Sequence, residues 1–143
     1  DARGSGQLQT TRQLADLVVA ALGPSAKKSK IDPATRTFQG IRIALNGELH
    51  AIEKALPAVF EKLESGGTLL AISFHSLEDR IVKRYFRHLA GRPEHARDNR
   101  SQMEREVQAE LVVRRPLAPS KSELKANPRS RSARLRAVKK INP

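Results

Sequence analysis

SGGTLLAISFHSLEDRIVKRYFRHL, residues 65–89, restricts the fold more than any other stretch of this 143-residue chain. A Gly-Gly turn opens an apolar run too continuous for a strand with one wet face. Such a run describes a strand buried on both sides in an α/β sheet. Leu77, Ile81, Val82, Tyr85, Phe86 and Leu89 then recur at helical spacing. Ser76 is placed to cap that helix, with Asp79 three residues later completing a capping box.

The flanking segments extend this reading. Thr10 with Gln13 begins a short helix that Gly23 and Pro24 end, and Leu14, Leu17, Val18, Ala21 and Leu22 form its single apolar face. SAKKSK follows, with the composition of a connector, so a subdomain boundary is expected near residue 30. Asp32 and Pro33 read as N-cap and first residue of a long helix. On it Phe38, Ile41, Leu45, Leu49, Ile52 and Leu56 form a buried stripe beside a polar one of Thr35, Gln39, Arg42 and Asn46. Gly40 and Gly47 weaken that helix by about 1 kcal/mol each relative to Ala. Residues 91–106 show no apolar period and are expected as a mobile loop. VQAELVVRR reads as a strand, Ser120 as the cap of a short helix, and SARLRAVKKI as a final strand alternating Ala133, Leu135 and Ala137 against Arg134, Arg136 and Val138.

Charge divides the chain sharply. Residues 1–79 carry nine basic and nine acidic residues, residues 80–143 eighteen and six, so the whole net charge of +12 lies in the last 64 residues. A one-sided excess of this kind is what a polyanion-facing surface requires, because each neutralised phosphate releases counterions. With four Phe, one Tyr and no Trp, an aromatic base-stacking sheet is disfavoured. The lack of cysteine excludes a disulfide framework, a thiolate zinc site and a thiol nucleophile. His50, His88 and His95 have neither the spacing nor the carboxylate partners of a metal site, and no metal is expected. LLAISF falls far short of the ~20 residues of a membrane span, and no basic-then-apolar leader opens the chain. A soluble, cytoplasmic protein is expected.

Three ordered motifs, DPATRTFQGIRIALNGEL, ESGGTLLAISFHSLEDRIVKRYF and NPRSRSARLR, together closely resemble the RsmH (MraW) family. These are S-adenosylmethionine-dependent methyltransferases acting on the exocyclic N4 of a cytosine in bacterial 16S ribosomal RNA. The resemblance runs from about Thr10 to Ile141 and covers the C-terminal half of such an enzyme. It implies an α/β fold, the closing half of a Rossmann-like class I methyltransferase sheet over 31–143, preceded over 1–30 by the last helix of a helical insertion that helps recognise RNA. It places the S-adenosylmethionine site in the N-terminal half, since no Gly-rich cofactor loop occurs here. Where the family usually has His before PATRTFQ this chain has Asp32, which keeps a helix-starting residue and leaves open any binding role of the His.

The end of a buried strand is where open α/β sheets hold ligands, so Ser73, His75 and Ser76 are expected to face the target base. Cytosine N4 is a poor nucleophile that needs acceptors to hold the amino group in line with the methyl rather than an obligatory charged base. A Ser-His-Asp hydrolase is disfavoured, because the residues crowd within a few positions and no nucleophile elbow surrounds the serine. Arg42 and Asn46 join the expected substrate side by resemblance. Arg36, Lys83, Arg84, Arg87, Asn127, Arg129, Arg131 and Arg134 are the expected RNA contacts. Partners are then 16S rRNA or the small ribosomal subunit, together with the N-terminal half or a second copy to cover an open sheet edge. The rival reading is a non-enzymatic RNA-binding or ribosome-associated module derived from the methyltransferase fold.

Overall fold

The computed structural model describes residues 4, 6, 8–24 and 32–141. The expected connector boundary near residue 30 lies outside the described residues. The chain forms two compact units, Asp1–Glu48 and Leu49–Pro143.

In the first unit α1 spans Thr11–Leu22 and α2 spans Thr35–Asn46. The α1 capping box forms as its sequence implies. Thr10 Oγ1 accepts from the Gln13 N–H at 3.2 Å, and Gln13 Oε1 accepts from the Thr10 N–H at 2.9 Å. The start of α2 differs from expectation. Asp32 makes a tight turn before the helix, its Oδ1 accepting from the Ala34 N–H at 2.8 Å, and Ala34 occupies the N-cap position. Pro33 therefore sits in the turn, ahead of the first helical residue.

The long helix expected over 33–56 is two helices. Gly47 takes φ +62°, a left-handed conformation that ends α2, and α3 restarts at Glu48–Lys62 with Pro57 inside it. One buried stripe cannot continue in phase through such a break, and Ile41 and Leu45 are 48% and 83% exposed while Leu56 is buried.

The second unit is a mixed α/β arrangement. β1 (Thr68–Ser73) leads into α4 (Ser76–Leu89), followed by β2 (Ala109–Leu111), α5 (Lys121–Ala126) and β3 (Arg134–Lys140). The strands lie in the order β1-β3-β2, and both pairings are antiparallel. β1 is an edge strand and packs on one face only, which corrects the expectation of a strand buried on both sides. Leu69, Ala71 and Ser73 turn toward the helices, while Leu70 and Ile72 are 59% and 58% exposed. The apolar run is continuous because both faces are apolar, yet helices cover only one of them.

That covered face holds the core. Leu56 and Phe60 of α3 meet Val82, Phe86 and Leu89 of α4, Ala109 of β2 and Val138 of β3. Directly paired residues of antiparallel strands share a face. The register Leu69↔Val138 and Leu111↔Val138 therefore puts three aliphatic side chains beneath α4. Ala137 and Val138 are both buried, so the expected alternation of β3 breaks there. VQAELVVRR yields only three strand residues, though Val112 still donates its N–H to the Ala137 carbonyl at 3.1 Å.

Lys140 secures α3 to the sheet. Its ammonium donates to the carbonyls of Phe60, Glu61 and Leu63 at 3.2, 3.3 and 2.8 Å and lies 5.1 Å from the Phe60 ring centroid. A cation on the last carbonyls of a helix satisfies acceptors that have no intrahelical partner and opposes the negative end of the dipole. Lys140→Met keeps the stem and removes the cation. It is expected to destabilise the chain by about 1–2 kcal/mol in a urea titration.

Within residues 91–106, expected as a mobile loop, the local links are made by charge rather than by apolar contact. Asp98 accepts from Arg100 Nε at 2.9 Å and from Arg105 Nη1 at 2.8 Å, and Glu94 accepts from Arg100 Nη2 at 2.8 Å. The side chains of Asp98 and Arg105 are each only 4% exposed. Gly91 anchors the segment at φ +59°, where an added Cβ would come within 2.7 Å of Val107 Cγ2. No side chain fits that turn.

Candidate nucleic-acid interface

α4 is positioned by a capping box one residue earlier than Ser76 implies. His75 is the N-cap, its Nδ1 accepting from the Glu78 N–H at 3.3 Å. Glu78 Oε2 returns to the N–H groups of Phe74 and His75 at 2.8 and 3.2 Å. With Nδ1 accepting, a neutral ring carries its proton on Nε2. That atom lies 3.1 Å from Glu78 Oε1 but out of line for a hydrogen bond, and it is left without an aligned partner. Ser76 is exposed at the first turn. Ser73 is 4% exposed and points into the fold, with its hydroxyl making a long 3.5 Å contact to the Arg134 carbonyl.

Asp79 is a strand-to-helix tie in place of the expected cap. Arg136 Nε and Nη2 reach its two oxygens at 2.7 and 2.9 Å, a bidentate pair joining α4 to β3. The guanidinium holds the Asp79 carboxyl below its ordinary range. Sequence spacing gave no sign of this pair, whose members are 57 residues apart.

Arg42 and Asn46 do come together. Arg42 Nε and Nη2 approach Glu48 at 2.9 and 3.1 Å, and Asn46 Nδ2 donates to Glu48 Oε1 at 3.2 Å. Their i, i+4 spacing puts both on one side of α2, and a carboxylate just past Gly47 collects them. Arg36 is exposed on the same helix.

Near the end of the chain Asn127 is a turn former. Its Oδ1 accepts from the Arg129 N–H at 3.2 Å, and its carbonyl accepts from Ser130 Oγ at 2.8 Å. The resulting 3-10 turn, Pro128–Ser132, leaves Arg129 and Arg131 exposed. Arg134 is half-buried and donates to the neighbouring Ala133 carbonyl.

The basic residues of α4 face two ways. Arg84 is exposed, while Lys83 and Arg87 line a shallow groove of about 70 Å³ with Arg92, Arg114 and Arg136. Phe86, Leu111, Val113 and Ala137 complete it. Arg92 and Arg114 were not singled out by sequence reasoning. The only signal available was their place in the basic half of the chain.

No strand among the described residues is followed by a glycine-rich loop. β1 passes directly into Phe74, His75 and the capped start of α4, and β2 into Val112, Val113 and Arg114.

These features describe a mixed α/β chain with a basic, concave surface. Residues 1–141 match the MraW methylase family, and the chain belongs to it. It is 46% identical over 99% of its length to the ribosomal RNA small subunit methyltransferase H of Nitrosospira multiformis, of which it covers 46%. It is 45% identical over 94% of its length to the protein of the same name in Heliobacterium modesticaldum, and 41% identical over 97% to that of a Sulfurihydrogenibium species; it covers 43% of each. The chain thus spans less than half the length of these relatives and matches their C-terminal part.

Proposed function

We propose that this chain is the C-terminal part of an S-adenosylmethionine-dependent methyltransferase acting on N4 of a cytosine in 16S rRNA. It supplies one wall of the target-base pocket and a basic RNA-facing surface. The observation that carries this reading is family membership over residues 1–141, with relatives named as small-subunit rRNA methyltransferases.

The exposed outer face of β1, with Leu70 and Ile72, has the character of a sheet awaiting its other layer. In the Rossmann-like core proposed here, the open edge of β1 continues the sheet into the N-terminal half, which holds the cofactor. S-adenosylmethionine supplies the electrophilic methyl. This chain's task is to hold the cytosine amino group in line with it. His75 and Ser76, at the end of β1, form the base-side wall, with Ser73 supporting them from beneath; Arg42 and Asn46 of α2 are assigned to substrate binding separately. Arg36, Arg84, Arg129, Arg131 and Arg134 add phosphate contacts, and Asn127 sets the turn that presents two of these arginines.

The test joins this chain to the N-terminal half of a family member and assays small ribosomal subunits by nucleoside mass spectrometry. N4-methylcytidine is expected from the joined protein, with no methyl transfer and no S-adenosylmethionine binding by the chain alone. Methylation of another atom, or tight cofactor binding by the isolated chain in calorimetry, would overturn the assignment. RNA binding with no methylation by the joined protein would identify a non-enzymatic module.

A further inference from the structure

The groove beside α4 has a composition that the fold does not require. Its basic side chains come from separate segments: Lys83 and Arg87 one turn apart on α4, Arg92 after the helix, Arg114 after β2 and Arg136 on β3. No acidic residue lines it. Arg136 is committed to Asp79, and Arg87 donates its Nε–H to the Pro93 carbonyl while keeping its charge. Lys83, Arg92 and Arg114 form no ion pair among the described residues.

Other cations of this unit have internal partners: Arg105 has the Asp98 carboxylate, and Lys140 has the carbonyls of Phe60, Glu61 and Leu63. Here five basic residues line one groove, and Asp79, the carboxylate that also acts on Lys83, is already held in a bidentate pair by Arg136. Such an arrangement repels itself until an anion enters.

We propose that this groove holds a phosphodiester of the RNA substrate. Lys83, Arg92 and Arg114 contact its non-bridging oxygens, and the sugar lies against Leu111 and Val113. The proposal rests on the RNA-modifying reading above and deepens it by assigning a phosphate subsite apart from the strand end. Ser76 and Lys83 are seven helical residues apart, about 10 Å along α4, so one helix places a base-side wall and a backbone clamp in fixed register. A phosphate in the groove fixes the strand's position without reading its sequence.

The experiment measures binding of the 143-residue chain to a small-subunit rRNA fragment by fluorescence anisotropy across a salt series. Lys83→Ala, Arg92→Ala and Arg114→Ala are combined in one variant. Lys54→Ala, Lys62→Ala and Lys121→Ala, all exposed and outside the groove, are combined in a control that removes equal charge. Each neutralised phosphate contributes about 0.7–0.9 to the slope of log K against log salt, so the groove variant, which loses one phosphate site, is expected to lose about that much from the slope. A tenfold or greater drop in affinity near 0.1 M salt is expected with it, and a much smaller change in the control. Arg114→Ala alone repeats the comparison if the triple variant unfolds.

Equal losses in groove variant and control overturn the groove while leaving the RNA reading intact. Failure of the parent chain to bind RNA overturns both. Binding to phosphatidylglycerol-containing vesicles without binding to RNA assigns the groove to a lipid headgroup and overturns the proposal.

Discussion

Phe86→Ala is expected to cost about 3–5 kcal/mol, the range for removing a large aromatic from a packed core. Phe86 is 1% exposed and sits at the centre of the cluster formed by Leu56, Phe60, Val82, Leu89 and Val138. Besides Val82 and Leu89 on its own helix, its neighbours come from α3 before the sheet and β3 at the end of the chain, so they cannot collapse together into the space left behind. A domain of this size has only about 5–15 kcal/mol of total stability, so a large part of it depends on one side chain. Phe86→Leu, which refills most of the volume, is expected to recover much of the loss. Urea unfolding followed by circular dichroism gives both values. A cost below about 1 kcal/mol for the alanine variant would mean that the α4–sheet contact is not the stabilising core.

Asp98→Asn is expected to open residues 92–106 while leaving the α4–sheet core folded. The carboxylate is the common acceptor for Arg100 and Arg105 and also accepts from the Glu94 N–H at 3.0 Å. An amide cannot balance two guanidinium charges, and Arg105, 4% exposed, would be left without its counterion. Hydrogen exchange should show protection lost in this segment alone, and limited proteolysis should cut within it.

The same network sets an acid response. Arg100, then Arg105, then the Glu94 N–H hold the Asp98 carboxyl far below the usual carboxylate range, and Arg136 lowers Asp79 in the same direction. In the unfolded chain both carboxyls take up protons near pH 4. Above that pH both states are ionised and stability does not change with these groups. Below it the unfolded state binds more protons, so stability falls as pH falls. The slope should shrink in Asp98→Asn. An unchanged slope below pH 4 would remove Asp98 from the acid response.

Local features were readable wherever the deciding partner lies within a few residues. The Thr10–Gln13 capping box, the Ser120 cap and the apolar period of α4 are local in this sense, and each forms as its sequence implies. The shift of the α4 cap from Ser76 to His75 is a one-residue error of the same local kind. His75 Nδ1 is an acceptor that can cap as a hydroxyl does, and Glu78 stands at the capping-box position behind it. The long helix failed at a single backbone dihedral. Gly47 was seen as a weak point, but nothing in the surrounding pattern distinguishes a glycine tolerated in a helix from one that ends it.

The sequence by itself determined the succession of helices and strands apart from the break at Gly47, the one-sided charge and, through three ordered motifs, the family. These depend on periodicity, composition and residue identity at short range. Tertiary structure alone decided the antiparallel order of the strands, the single covered face of β1 and the use of each cation. Arg136 went to Asp79, Arg105 to Asp98 and Lys140 to the end of α3, while Lys83, Arg92 and Arg114 were left around a groove. Whether a basic side chain is structural or available for RNA depends on which carboxylates and carbonyls folding brings within about 3 Å of it. Those partners lie up to 80 residues away along the chain.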